Sequence, residues 1–217
     1  VNEYYKDTYS TPEVEGNHTT IKVTNTLKYE MITRSVEATK VWDDGDNKAG
    51  VRPDSVEFEL YADNATTNKT QTVSKVEDSN EWKTTFEGVN KYTSAGKEIV
   101  YSVKETTTPA HYNKQENGLT VTNKIDYTSI PTKETATKSW DDADNANRPS
   151  EVVIGAYNGS ETPVKTAKAN AGNNWTATFE GLQKYTAEGK KIEYTFKEVT
   201  IPDGYVATVK DNVITNA

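Results

Sequence analysis

One block of this chain is written twice. KVWDDGDNKAGVRP (40–53) returns as KSWDDADNANRP (138–149), and NEWKTTFEGVNKYTSAGKEIVYSVKE (80–105) returns as NNWTATFEGLQKYTAEGKKIEYTFKE (173–198). Lys40 and Trp42 recur as Lys138 and Trp140 at one offset, and Glu105 and Asn123 recur as Glu198 and Asn216 at a shorter one, so the second unit is slightly shorter inside. A chain of 217 residues has room for one large domain or two of about 100, and the duplication decides for two. Residues 1–27 read as a third, partial copy. Val1-Asn2-Glu3 lines up with Val103-Lys104-Glu105, and Ile21 to Asn25 with Leu119 to Asn123. Asn25 to Lys40 and Asn123 to Lys138 are equal in length, which gives both junctions one linker. The expected organisation is the C-terminal part of a preceding domain at 1–27 followed by domains at 28–126 and 127–217. Tandem units on short, equal linkers predict an elongated array.

Within each unit, short alternating runs rich in Val, Thr, Tyr and Phe are cut by Gly, Pro and Asn-Asp pairs, the pattern of antiparallel strands. Val56 to Tyr61, Trp82 to Phe86, Glu98 to Lys104 and Leu119 to Asn123 are examples. No long amphipathic helix is evident, so each unit is expected to be an all-β sandwich. A hydrophobic content of 33%, with 13 tyrosines against 4 phenylalanines, suits small sandwiches with wet outer faces.

Period-2 alternation then exposes three misplaced polar residues per unit. Val36, Ala38, Lys40 and Trp42 share one face, so an ammonium stands among apolar neighbours. Glu105 shares a face with Tyr101 and Val103, and Asn123 shares one with Leu119, Val121 and Ile125. All three recur as Lys138, Glu198 and Asn216.

Those residue types can react with one another. A neutral lysine amine attacks a carboxamide carbonyl, expels ammonia and leaves an amide cross-link, if the ammonium is deprotonated and the carbonyl polarised. Burial lowers a lysine pKa and raises a glutamate pKa, so a glutamic acid between the two can hydrogen-bond the carbonyl and carry protons from the amine to the leaving group. Fixed strand positions would replace concentration with geometry. Two plainer arrangements stand beside this one. A single lysine of this kind ordinarily snorkels to the rim, and a buried Lys-Glu ion pair capped by Asn is structurally reasonable although costly. Recurrence of the whole triad favours the cross-link.

A net charge of −8 without a basic cluster argues against a nucleic-acid or anionic-membrane partner. No apolar run is long enough to span a bilayer, so no membrane insertion is expected from this stretch. Cysteine is absent, which removes disulfides and thiol catalysis. A small domain working outside a cell would then need another staple.

The sequence resembles the B-type repeat domains of Gram-positive surface adhesins, the collagen-adhesin B (CnaB) family, and related sortase-assembled pilins. The resemblance is carried by TKVWDD (39–44) and TKSWDD (137–142), by the closing VTN (121–123) and ITN (214–216), and by YSVKETTTPAHY (101–112) and YTFKEVTIPDGY (194–205). The last pair looks like the pilin E-box. It implies tandem inverse immunoglobulin-like sandwiches in an extracellular stalk at the bacterial cell wall. It also implies bonds from Lys40 to Asn123 and from Lys138 to Asn216, with Glu105 and Glu198 assisting and no cofactor. Glu3 and Asn25 would belong to the partial preceding domain. The partners implied are neighbouring repeats, and a host ligand contacted by regions outside this chain.

Other candidates are weaker. The loops Asp43-Asp44-Gly45-Asp46-Asn47 and Asp141-Asp142-Ala143-Asp144-Asn145 offer oxygens to calcium, yet lack EF-hand spacing and are better explained as turns, so no metal is expected. Trp82 and Trp175 could stack on a sugar but follow strand alternation into the core. His18 and His111 are unrelated by the repeat. One rival reading is a ligand-binding sandwich that contacts a host protein or glycan, which would call for a loop or aromatic patch in one repeat alone. Another is a glycosidase, which would need a carboxylate pair in a cleft rather than acids scattered at turns.

Overall fold

Most of the alternating runs become sheet. The computed structural model describes residues 2–143 and 148–217, which form two compact units, 1–125 and 126–217. The leading segment contributes β1 (Tyr5–Tyr9), β2 (Glu13–Glu15), β3 (His18–Thr20) and β4 (Val23–Leu27). It is grouped with the first unit rather than standing apart. β1 pairs with β4 and β2 with β3, as two separate two-stranded ribbons.

The first sandwich comprises β5 (Thr33–Asp43), β6 (Ser55–Ala62), β7 (Ala65–Ser74), β8 (Glu81–Asn90), β9 (Tyr101–Glu105), β10 (Tyr112–Asn117) and β11 (Thr120–Ile125). One sheet has the order β10-β11-β5-β8 and the other β7-β6-β9. The second unit repeats this with β12 (Pro131–Trp140), β13 (Glu151–Tyr157), β14 (Lys165–Asn170), β15 (Thr176–Gln183), β16 (Thr195–Glu198), β17 (Ala207–Lys210) and β18 (Val213–Asn216), in the orders β17-β18-β12-β15 and β14-β13-β16. Helical structure among the described residues is confined to three short 3₁₀ turns, and no helix is long and apolar enough to cross a membrane.

The opening and closing strands of each unit lie side by side and parallel. β5 pairs with β11 in the register Lys40↔Val121 and Trp42↔Asn123, and β12 pairs with β18 through Lys138↔Ile214 and Trp140↔Asn216. Side chains two apart share a face, so each lysine and its asparagine enter the same core from neighbouring strands. The glutamate-bearing strands β9 and β16 belong to the opposite sheet. Cores are filled by Phe58, Leu60, Trp82, Phe86 and Val103 in the first unit and by Ile154, Phe179, Phe196 and Ile214 in the second.

The expected strand from Glu98 begins only at Tyr101. Glu98 instead bridges Tyr92, and Ile99 N–H donates to the Lys91 carbonyl. Residues 91–100 therefore carry the chain from one sheet to the other, and pairing with β6 starts only after that crossing. Gly88 and Gly181 adopt φ of 62° and 67° in β8 and β15, beside register shifts in the pairing with β5 and β12. A glycine in the left-handed region is what such a bulge requires.

Candidate functional site

Strand alternation places Val36, Ala38, Lys40 and Trp42 inward on β5, and the polar member of the set is sealed. Lys40 and Asn123 are 0% exposed and Glu105 is 2% exposed, while Lys138, Glu198 and Asn216 stand at 3%, 7% and 0%. The three side chains of each unit are thus enclosed in one sandwich, and neither lysine snorkels to its rim.

In the first unit Lys40 Nζ lies 3.4 Å from Glu105 Oε1. Asn123 Nδ2 donates to both carboxylate oxygens, at 3.1 and 3.0 Å. In the second unit Asn216 Nδ2 donates to Glu198 Oε1 at 3.2 Å, and Lys138 Nζ donates to the Ser139 carbonyl. Each ammonium lies over a tryptophan face, Lys40 at 4.5 Å from Trp42 and Lys138 at 3.8 Å from Trp140.

The electrostatics follow from burial. Desolvation lowers Lys40 to a pKa of about 8 against the opposing attraction of Glu105, and it lowers Lys138 to about 8 in the same way. Desolvation also raises Glu198. Lysine and acid in the second unit are therefore pushed toward each other, the condition under which a neutral amine and a neutral acid become accessible. Three buried acceptor oxygens are left without a hydrogen-bond partner: Asn123 Oδ1, Glu198 Oε2 and Asn216 Oδ1. Each such group costs about 1–3 kcal/mol. The unpaired carboxamide oxygens are the ones a protonated glutamate would polarise.

The leading segment departs from its expected alignment. β1 pairs with β4 through Tyr5↔Leu27 and Asp7↔Asn25, the same register as Tyr112↔Ile125 and Lys114↔Asn123 between β10 and β11. Tyr5 N–H donates to the Asn2 carbonyl, as Tyr112 does to Pro109 and Tyr205 to Pro202. Tyr5 is therefore the counterpart of Tyr112, and Glu3 takes the place of Ala110 rather than of Glu105. Asn25 does occupy the place of Asn123, but on the surface. Val1 lies outside the described residues.

The acidic loop of the first unit is a turn, as expected, with Asp44 Oδ1 accepting from the Asn47 N–H at 2.9 Å, and its first aspartate after the strand has a second role. Asp44 is buried, and its carboxylate is gripped by Arg52 and by Tyr112, while Asp46 Oδ1 accepts from Asn80. These oxygens are taken up by protein donors. Asp142 is held in the same way by Arg148 and Tyr205; Asp144 and Asn145 lie outside the described residues. These arginines and tyrosines are not among the candidates drawn from the sequence, although both repeats carry the signal: a second Asp after the tryptophan, an Arg-Pro soon after, and a tyrosine seven residues past the glutamate. Trp82 is fully buried and packs edge-on against Trp42, and half-buried Trp175 does the same against Trp140. Both belong to the core rather than to a sugar platform.

A family model described as the Cna protein B-type domain matches residues 36–124 and 135–217. The chain is 39% identical over 193 residues to a collagen adhesin of Staphylococcus aureus. That match covers 88% of this chain, which spans 16% of the relative's length. Among solved structures, a single B repeat unit of the collagen-binding surface protein of Staphylococcus aureus is 38% identical, with 85% of this chain and 98% of that one covered and a TM-score of 0.38. A structure of two B repeat units of the same protein is 35% identical, with 99% and 55% covered and a TM-score of 0.41.

Proposed function

This chain belongs to the family of Cna protein B-type domains, and from that premise we propose that it is a structural stalk segment of a bacterial cell-wall-anchored adhesin or pilus-like protein, each unit closed by a lysine-to-asparagine amide bond. Its units are all-β sandwiches of the inverse immunoglobulin-like kind, in tandem. The observation that carries the cross-link is the burial, twice over, of a lysine, a glutamate and an asparagine whose polar atoms are not all satisfied.

The reaction begins with transfer of the ammonium proton of Lys40 to Glu105. Neutral Nζ attacks Asn123 Cγ while the acid hydrogen-bonds Oδ1. The Nζ–Cγ bond forms, the Cγ–Nδ2 bond breaks, and a proton from Nζ reaches Nδ2 through the carboxylate, so that ammonia leaves. Glu105 is suited to that relay because it already faces both the amine and the leaving nitrogen. Lys138, Glu198 and Asn216 repeat the sequence. Each unit reacts once and needs no cofactor, so the role is mechanical rather than enzymatic.

The tie would bridge a loop of roughly 80 residues and constrain the unfolded chain by about 4–5 kcal/mol on the loop-entropy account. This is the staple that a cysteine-free domain outside the cell lacks. The segment would work at the wall surface beside neighbouring repeats of the same protein, with a host ligand contacted elsewhere. Residues 1–27 would be the closing hairpin of a preceding unit, because their register and turn match those of β10 and β11.

Intact-mass measurement tests the reading. The chain should be lighter than its sequence by about 17 Da per bond and about 34 Da in all, one ammonia for each amide formed. A full, unreduced mass would overturn it.

A further inference from the structure

Outside each triad lies a second polar group, buried in the first unit and partly buried in the second, that the cross-linking chemistry does not use. Arg52 Nε donates to Asp44 Oδ2 at 3.0 Å and its Nη2 to Oδ1, while Tyr112 Oη donates to Asp44 Oδ2 at 2.9 Å. Arg52 is anchored further by the Ser79 carbonyl at 2.9 Å and Asn80 Oδ1 at 2.7 Å. The Tyr112 ring meets Trp42 edge-on at 5.0 Å. In the second unit Arg148 grips Asp142, Tyr205 Oη donates to Asp142 Oδ2 at 2.8 Å, and the Tyr205 ring lies 5.1 Å from Trp140.

The topology gives this group a task. Asp44 directly follows β5, which carries Lys40, and Tyr112 opens the hairpin that carries Asn123. Their hydrogen bond therefore ties the first strand of the unit to its last hairpin. It does so over Trp42, the residue whose Cα partner is Asn123. That parallel pairing is short, and in the second unit it spans only Thr137 to Trp140. A slip of one residue would turn the asparagine out of the core, because side chains alternate.

We propose that Tyr112, Asp44 and Arg52, with their counterparts Tyr205, Asp142 and Arg148, are positioning residues that set the register of the closing strand and so deliver asparagine to lysine. The proposal rests on the cross-linking reading above. Asp44 is buried and fixed by arginine, and the tyrosine hydroxyl is a donor to it that arrives with the hairpin.

The test is the rate of bond closure in Tyr112→Phe, which keeps the ring against Trp42 and removes only the hydroxyl. Freshly purified full chain is followed by intact mass, and proteolysis assigns each bond to its unit, so that the second unit serves as an internal clock. Val73→Ala, a cavity in the opposite sheet, controls for loss of stability alone, since Val73 is fully buried on β7. Closure in the first unit should slow by roughly ten- to a hundredfold in Tyr112→Phe, the scale expected of reacting groups displaced by about 1 Å, while the second unit keeps its rate. Asp44→Asn, which retains an acceptor, should close faster than Asp44→Ala. Unchanged closure in Tyr112→Phe, or equal slowing in Val73→Ala, overturns the positioning role and leaves the cross-link standing. An unmodified chain of full mass sinks both.

Discussion

Lys40 Nζ stands 3.4 Å from Glu105 Oε1 with both side chains closed to solvent. A buried pair of this kind is weak evidence for stability, since desolving two charges consumes most of what their attraction returns. Burial also lowers Lys40, so the same arrangement that makes a poor salt bridge makes a reactive amine. The proposed function turns on that trade.

Removing the acid separates chemistry from architecture. Glu105→Ala should leave the first sandwich folded, because Phe58, Leu60, Trp82 and Phe86 still fill its core, at a cost of about 1–3 kcal/mol for the lost buried contacts. The variant should regain about 17 Da while the second unit keeps its bond, and should melt lower as the covalent constraint on its unfolded state disappears. Mass spectrometry with thermal melting checks this, and a normal mass deficit would assign the relay to a different acid.

The pH dependence of closure should be bell-shaped. In the second unit Lys138 is lowered to about 8 and Glu198 is raised. The reactive state, neutral amine with neutral acid, holds the same single shared proton as the ion pair, so its population is flat between the two apparent values. Closure should slow above about pH 8, where that proton is lost, and again in acid, where the amine stays charged. Time courses of ammonia release between pH 4 and pH 10, started from freshly folded protein, measure it. A rate that climbs steadily through pH 10 would mean that the acid is not required in its neutral form.

Without the bond, the buried lysine should make stability depend on pH. Burial lowers Lys40 to about 8 in the parent fold, and Asn123→Ala should keep it well below the roughly 10.4 of unfolded lysine. Between those values the unfolded chain binds more protons, so stability rises with pH across the window. Below it both states are protonated and the burial penalty is present in full. The gain should be on the order of 2–3 kcal/mol and should vanish in Asn123→Ala/Lys40→Met. Denaturant unfolding at pH 7 and pH 10.5 on both variants decides the matter.

What was legible in advance was whatever period-2 alternation could report. Lys40, Glu105 and Asn123 stood out because each broke an apolar face, and the duplication removed the alternative that one such break was accidental. The parallel pairing of β5 with β11 left no local mark, since it joins residues far apart in the chain and its register is fixed by packing. The turn at Asp44 is legible but its ion pair is not, because turns and buried ion pairs use the same letters. Only the fold shows Arg52 and Tyr112 converging on it from opposite directions. By letter Glu3 lines up with Glu105, whereas the ribbon of β2 and β3 lengthens the path from Tyr5 to Asn25 and shifts the correspondence.

The leading hairpin yields the last expectation. β1 and β4 hold each other in the register of β10 and β11, yet Tyr5 is 37% exposed and Val23 54% exposed, where their counterparts Tyr112 and Val121 are buried. A two-stranded ribbon is marginal in water. Backbone amides of β1 and β4 should therefore exchange with solvent far faster than those of β10 and β11 in the same molecule. A longer polypeptide that supplies the preceding strands of such a unit should slow that exchange and, if those strands bring a lysine, lose about 17 Da more through Asn25. Hydrogen exchange read by mass spectrometry compares the two hairpins within one sample. Equal protection in the chain as it stands would mean that the segment is already covered, and that its likeness to a closing hairpin carries no open binding face.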